Sequence, residues 1–130
     1  MDNLKKDLSN YGLSEAERCI RIAKVCIEPD DYSSSANRSY YAMFHCMRAL
    51  FAIEGVDFKH HSAVVAHFRK NYIKEGVFDS KYSDYVGDAF NTRARSDYED
   101  FYLISKQEVE QQLKNAEELY AVVAKYLKEV

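Results

Sequence analysis

Apolar side chains recur every three or four residues along most of this chain, which is the spacing of one face of an α-helix. The first stripe of this kind holds Leu13, Ala16, Ile20, Ala23 and Ile27. A helix would begin near Leu4 and end before Pro29, since the residue preceding a proline disfavours helical geometry. Gly12, followed by the capping-box sequence of residues 14–17, predicts that this helix breaks or restarts there.

Further stripes with the same spacing predict the remaining helices. They lie at residues 32–54, 64–72, 82–90 and 109–127. Gly55 and Gly76 follow the second and third stripes as helix-ending residues, and a second capping box at 105–108 precedes the last. Because the connections are short, sequential helices are expected to pack antiparallel. The sequence predicts an all-α fold: an up-and-down four-helix bundle with an additional short helix.

Composition supports this fold class. The 130 residues are 47% hydrophobic and 30% charged, with one proline and four glycines. A disordered or linker-rich chain would have less apolar content, and an all-β fold would need a turn every ~8–12 residues. We therefore expect one domain over residues 1–130.

Charge and hydropathy exclude some partners. A net charge of −3 disfavours a protein that holds nucleic acid by charge alone. No apolar run approaches the ~20 residues that span a bilayer, and the first residues lack the apolar core of a signal peptide. The three cysteines have no metal-site spacing, so we expect buried thiols in a cytoplasmic protein without membrane contact.

Charged residues interrupt the apolar stripe of the predicted fourth helix. After Phe90, the same spacing continues through Arg93 and Asp97. A half-buried charge is costly unless it is paired, and these two residues are four apart, so they can form a structural ion pair. The alternative is a polar pocket in or beside the bundle, formed by Arg93, Arg95, Asp97 and Tyr98.

The second helix has a polar face opposite its apolar one. Arg38, Tyr41, His45 and Arg48 recur on it at steps of three or four. Arginine grips phosphate with two N–H groups, and tyrosine or histidine can stack on bases. Alternatively, Tyr41 and His45 lie at the edge of the core and the arginines are solvated.

A metal site is not expected. His60, His61 and His67 are close in sequence, but their spacing matches no metal-binding motif. The chain also lacks a glycine-rich phosphate loop and a nucleophile elbow. We expect no cofactor.

Two segments give the chain a family resemblance. Residues 35–45, Ser-Ala-Asn-Arg-Ser-Tyr-Tyr-Ala-Met-Phe-His, and residues 93–98, Arg-Ala-Arg-Ser-Asp-Tyr, with Gly55 and His61 between them, resemble the HEPN (higher eukaryotes and prokaryotes nucleotide-binding) superfamily. The closest resemblance is to its small stand-alone prokaryotic branch. It implies a helical bundle that usually forms a homodimer. It also implies frequent pairing with a minimal nucleotidyltransferase, often as toxin and antitoxin.

The resemblance also implies candidate catalytic residues. Active HEPN members are metal-independent endoribonucleases in which arginine is followed, four to six residues later, by histidine. The arginine corresponds to Arg93 or Arg95, but Asp100 stands at the usual histidine distance from Arg95, and no histidine follows His67. Some paired members receive AMP on a tyrosine just after the motif, and Tyr102 has a comparable offset.

Three functions remain open from the sequence. The first is a dimeric protein that binds a nucleotide or an RNA phosphate through Arg38, Arg93 and Arg95, with Asp97 orienting an arginine and Tyr41 or Tyr98 stacking. The second is a ribonuclease in which His45 or Asp100 replaces the motif histidine. The third is a non-catalytic interaction module whose many tyrosines form an interface.

Overall fold

The described residues form five α-helices. The computed structural model describes residues 3–98 and 103–130, the side chains of residues 97 and 98 excepted. The helices are α1 (Asn3–Ile27), α2 (Tyr32–Glu54), α3 (His61–Phe68), α4 (Lys81–Tyr98) and α5 (Lys106–Glu129). A π-helical turn, Arg69–Ile73, continues α3, and the described residues contain no strand. The predicted all-α bundle with an additional short helix is confirmed. No helix in the described part of the chain is both long and apolar enough to cross a bilayer.

The first helix does not break at Gly12, contrary to the prediction. α1 is continuous from Asn3 to Ile27, and Gly12 is buried inside it. A Cβ atom at this position would lie 3.1 Å from the Ala49 Cβ and 3.3 Å from the His45 carbonyl oxygen. Glycine is therefore needed for the close approach of α2 and not for a change of direction.

Local sequence signals fix the ends of two helices. The Asp31 side chain accepts a hydrogen bond from the Ser34 backbone N–H and caps α2. Gly55 ends α2 in the left-handed conformation at φ 81°. Ser105 accepts from the backbone N–H of Glu108 at 3.1 Å, so it caps the start of α5, the position of the predicted second capping box.

The four long helices pack with alternating directions. Early α1 contacts late α2, since Gly12 faces Ala49. Tyr120 of α5 donates a hydrogen bond to Glu17 of α1 at 3.0 Å. Tyr85 of α4 donates to Glu118 of α5 at 2.8 Å. Between the helices lies one main core, whose largest fully buried side chains include Tyr40, Phe51, Phe68, Met43, Met47, Leu50 and Leu119.

The short helix α3 departs from the expected antiparallel packing and runs in the same direction as α2. Its first residue, His61, lies 4.4 Å from Phe44 between ring centroids, and its later residue His67 lies 4.6 Å from Phe51. The connection at residues 55–60 therefore folds back along α2. Within it, Asp57 accepts two hydrogen bonds from Arg48, at 3.1 and 2.7 Å. This return brings the start of α3 beside the middle of α2.

Candidate functional site

Arg93 reaches from α4 onto the aromatic side chains of α2. Its Cζ atom lies 5.3 Å from the ring centroid of Tyr40 and 5.5 Å from that of Tyr41, both within cation–π range. Phe90, one turn earlier, packs against Tyr40 at 6.1 Å between ring centroids. The face of α4 that carries Phe90 and Arg93 therefore packs against α2, and Arg93 is half-buried where the two helices meet.

Arg38 of α2 lies against the same tyrosine. Its Cζ atom is 5.1 Å from the Tyr41 ring centroid. The Nε and Nη2 atoms of Arg38 donate to Asn37 Oδ1 at 3.2 and 2.7 Å, which fixes the orientation of the guanidinium group. We call Arg38, Tyr40, Tyr41 and Arg93 the arginine–tyrosine cluster. It joins the two polar faces that the sequence indicated separately.

His61, the first residue of α3, adjoins this cluster. Its Nδ1 atom lies 2.6 Å from the Tyr40 hydroxyl oxygen. Burial, and then the neighbouring Arg93 and Arg48, lower the pKa of His61 below its ordinary 6.5. Burial raises the pKa of Tyr40 to about 12, although Arg93 opposes this. At neutral pH the pair is therefore a neutral imidazole and an un-ionised phenol.

Two other predicted residues of α2 do not join the cluster. Arg48 donates to Asp57 and lies over the Phe44 ring at 5.8 Å. His45 lines a groove between α1 and the end of α2, together with Leu8 and Tyr11 among others. Burial is the main cause that lowers the pKa of His45, so this imidazole is also neutral at neutral pH.

Arg95 lies in a different place from Arg93. It is exposed and lines a polar groove between α4 and α5. In that groove Gln112 donates to the Thr92 hydroxyl at 2.7 Å. The side chains of Asp97 and Tyr98 and the whole of Asp100 and Tyr102 lie outside the described residues, so their predicted roles stay predictions.

His67, near the end of α3, has hydrogen-bond partners within the protein. His67 Nε2 lies 3.2 Å from Glu54 Oε1, and Asn71 Nδ2 lies 3.0 Å from His67 Nδ1. Tyr72 donates a short hydrogen bond to the same Glu54 carboxylate. Among the described residues, no group of three or more His, Cys, Asp and Glu side chains is placed to hold a metal ion.

Sequence reasoning missed Tyr40 and His61 as site residues. The helical spacing assigned Tyr40 to the apolar stripe of α2, and its ring is indeed fully buried. Its hydroxyl group was the available signal, because a buried tyrosine hydroxyl needs a hydrogen-bond partner. The partner could not be predicted, since it depends on the fold-back of residues 55–60.

The assembled groups suit an anion. Two guanidinium groups from different helices supply N–H donors and positive charge, and arginine contacts phosphate oxygens through paired N–H groups. The half-buried Tyr41 ring beside them is of the type on which a planar base stacks. The neutral His61 adds an imidazole that can accept a proton.

Comparison with known proteins gives a family and several relatives. A sequence model described as the HEPN domain matches residues 10–127. A protein of Methanocaldococcus jannaschii named “putative toxin” is 30% identical over 123 residues, which cover 95% of this chain and 83% of that protein. A second M. jannaschii protein of that name is 30% identical over 83 residues, 64% of this chain and 62% of its own length. A UPF0332 protein of Thermotoga maritima is 26% identical over 128 residues, 98% of this chain and 97% of that protein.

Proposed function

This chain belongs to the HEPN domain family, and on that premise we propose that it binds the phosphate of a nucleotide or of RNA at the arginine–tyrosine cluster. One observation carries the proposal. The Cζ atoms of Arg38 and Arg93, which come from different helices, lie 5.1 and 5.5 Å from the centroid of the same Tyr41 ring. Two cations that contact one aromatic ring combine the groups that recognise a phosphate and the base attached to it.

Each cation has a distinct part in this site. Arg38 is held by Asn37, which accepts two of its N–H groups, and a guanidinium has five such donors, so others remain for a ligand. Arg93 is half-buried, where a charge-assisted hydrogen bond is stronger than at an exposed position. We therefore expect Arg93 to contribute most of the phosphate affinity and Arg38 to orient the ligand on Tyr41.

A pair of arginines on α4 provides the test. We expect Arg93→Ala to weaken binding of ATP or of a short single-stranded RNA about tenfold or more, which corresponds to one charge-assisted hydrogen bond. Arg95→Ala removes the same side chain two residues away, in the groove between α4 and α5. It should leave the affinity within about twofold.

Isothermal titration calorimetry would measure both affinities, and circular dichroism would verify that each variant keeps its helices. Equal affinity of the wild type and Arg93→Ala would contradict the proposal. So would a loss confined to Arg95→Ala, since that result would move the site to the other groove.

The partner is inferred from the family. The HEPN resemblance implies a homodimer that acts with a minimal nucleotidyltransferase, and the name of the two M. jannaschii relatives supports a toxin-like role. In such a pair Tyr102 would be the residue that receives AMP from the transferase. A transferase encoded beside this chain, which adds the mass of one AMP to the wild type but not to Tyr102→Phe, would support this part of the proposal.

A second candidate function is metal-independent RNA cleavage, and the position of His61 favours it. When His61 Nδ1 donates its hydrogen to the Tyr40 oxygen, Nε2 carries the lone pair and can act as a general base. It would take the proton of a ribose 2′-hydroxyl, whose oxygen attacks the adjacent phosphorus. The bond from phosphorus to the 5′-oxygen breaks, water protonates the departing 5′-oxygen and a 2′,3′-cyclic phosphate remains, while Arg93 stabilises the charge of the transition state.

RNA incubated with the protein in the presence of a chelator separates the two functions. Under the cleavage hypothesis, His61→Ala abolishes product formation, whereas His45→Ala, which alters the groove between α1 and α2, retains it. RNA that stays intact at high protein excess, while Arg93-dependent binding persists, would reject cleavage and leave the binding function.

A further inference from the structure

A groove between α1 and the second half of α2 gathers apolar side chains at the protein surface. Its volume is about 470 Å³, which lies within the range of pockets that hold small molecules. Eight large hydrophobic side chains are exposed among the described residues, and four of them line this one groove: Leu4, Leu8, Tyr11 and Val56. Scattered apolar side chains are ordinary on a surface, whereas a group gathered in a concave site indicates a ligand. We call this site the α1–α2 groove.

The walls of the α1–α2 groove are two helices that pack closely. Gly12 brings α1 against Ala49, and His45, one turn before Ala49, lies at one end of the groove. Gly55, the C-cap of α2, lies at the other end. These ends are about 15 Å apart at 1.5 Å per residue of helix. The groove is therefore elongated, and most of its wall is regular helix, which suits a ligand that is itself elongated.

Lys5 is the one charged side chain lining the groove that has no partner of opposite charge within the described chain. Its Nζ atom lies against α2, 3.3 Å from the position that a Cβ atom would take at Gly55. The other two charges neutralise each other, because Arg48 donates two hydrogen bonds to Asp57. The Asp57 carboxylate also accepts from the backbone N–H of Phe58 at 2.9 Å, so it does not need Lys5. One positive charge at the Gly55 end therefore remains for a ligand.

The imidazole of His45 lies at the opposite end of the groove. It is half-buried and forms no hydrogen bond with any residue that the structure describes. Its ring packs against those of Tyr41 and Phe44, at 6.4 and 6.0 Å between centroids. Since burial keeps this imidazole neutral at neutral pH, the His45 end supplies no second charge. A ligand that matches the groove has one anionic group, at the Lys5 end, and an apolar body.

We propose that the α1–α2 groove binds an apolar monocarboxylate of the medium-chain fatty acid type, with its carboxylate on Lys5 and its chain along Leu8 and Tyr11. Burial of the chain supplies most of the affinity, and the ion pair fixes which end of the molecule lies at Gly55. An uncharged chain would leave the ammonium group unpaired. A dianion would lack a second cation. None of the residues that line the groove belongs to the arginine–tyrosine cluster, so this site goes beyond the proposed function.

Two neighbouring lysines provide the first experiment. Isothermal titration calorimetry with octanoate should give a dissociation constant below about 1 mM for the wild type. Lys5→Met keeps an apolar stem and removes the charge, so it should weaken octanoate binding about fivefold, as expected for one partly exposed ion pair. Lys6→Met makes the same change at an exposed position outside the groove and should leave the affinity within about twofold. Octan-1-ol, which has no carboxylate, should bind the wild type and Lys5→Met equally.

The apolar wall is tested separately. Leu8→Asn places a polar amide where the chain of the ligand packs, and we expect it to weaken both octanoate and octan-1-ol at least about tenfold. Val25→Asn is the matched control, because Val25 is a still more exposed position of the same helix and does not line the groove. Circular dichroism would verify that each variant keeps its helices.

His45 reports the position of the ligand independently of affinity. In NMR spectra of the histidine-labelled protein, saturation with octanoate should shift the imidazole resonances of His45. Those of His60, which is exposed and lies outside the groove, should stay in place.

Four results would overturn the proposal. One is a wild-type chain that does not bind octanoate at millimolar concentration. The second is equal octanoate affinity of Lys5→Met and Lys6→Met, since the carboxylate would then lie elsewhere. The third is a Leu8→Asn variant that binds as well as Val25→Asn. The fourth is binding that leaves the His45 resonances unchanged. Each of these outcomes leaves the test of Arg93 with ATP unaffected.

Discussion

Tyr41 is the residue of the candidate site that both arginines contact. The guanidinium groups of Arg38 and Arg93 both lie within 5.5 Å of its ring centroid. A cation–π contact at a partly desolvated site is worth about 0.5–2 kcal/mol, so the ring offsets part of the cost of partly burying each guanidinium group. Under the proposed function, the ring would hold both cations in place before the phosphate binds.

The lowered pKa values of His45 and His61 predict a pH-dependent stability. In the folded state both groups bind a proton less readily than at their ordinary pKa of 6.5, mainly because they are buried. As the pH falls below about 6.5, the unfolded chain takes up protons first. The stabilisation is therefore complete above this pH and is lost as the pH falls through the lowered folded-state pKa values.

Urea unfolding at pH 7.5, 6.5 and 5.5 would measure this effect. The unfolding free energy of the wild type should fall over this range, and His61→Gln should show a shallower fall. His60→Gln, at the neighbouring exposed position, is the matched control for the substitution itself. The lowered pKa of Asp57, paired with Arg48, starts from 3.8, so its contribution is lost only at lower pH. An identical fall in His61→Gln and the wild type would contradict the prediction.

At the scale of elements, the close contact between α1 and α2 depends on Gly12, which has no side chain. A Cβ atom at Gly12 would approach the Ala49 Cβ to 3.1 Å. Gly12→Val adds further atoms in the same direction, so α2 must move away. We expect a loss of about 1–3 kcal/mol in unfolding free energy, the usual cost of overpacking.

Chemical denaturation would measure this loss. Ser14→Val, at an exposed position of the same helix, is the control for the helix propensity of valine. It should change the stability by only a few tenths of a kcal/mol. A Gly12→Val variant as stable as this control would show that α1 and α2 can separate without cost.

Helical spacing predicted the five helices, but the sequence did not predict the course of the connection at residues 55–60. The apolar stripes correctly gave four long helices and a short one, because burial of one face decides where a helix forms. Gly12 and the capping-box sequence after it predicted a break, where the structure has a continuous helix. A glycine that permits close packing and a glycine that ends a helix look alike in one sequence. The course of residues 55–60 was also hidden, since it depends on contacts such as Asp57 with Arg48.

At the scale of the whole molecule, the site is shared among α2, α3 and α4. The sequence indicated two of its contributions, because charges at Arg38 and Arg93 interrupt regular helical faces. It could not predict that these two meet on Tyr41, since this depends on how α4 packs against α2. The separation of Arg95 from Arg93 follows from helix geometry, because residues two apart lie about 200° apart around the helix axis. The role of His61 could not be predicted either, because its position beside Tyr40 depends on the fold-back of residues 55–60.

The packing of α5 against α1 has a consequence for synthesis. Tyr120 and Glu17, joined by a hydrogen bond, are 103 residues apart in the chain. While the chain emerges from the ribosome, α1 and α2 can pair early, but their core faces stay uncovered until the last helix has been released. Nascent chains of this protein therefore expose apolar surface until α5 has left the ribosome, and chaperones would meet them in this state.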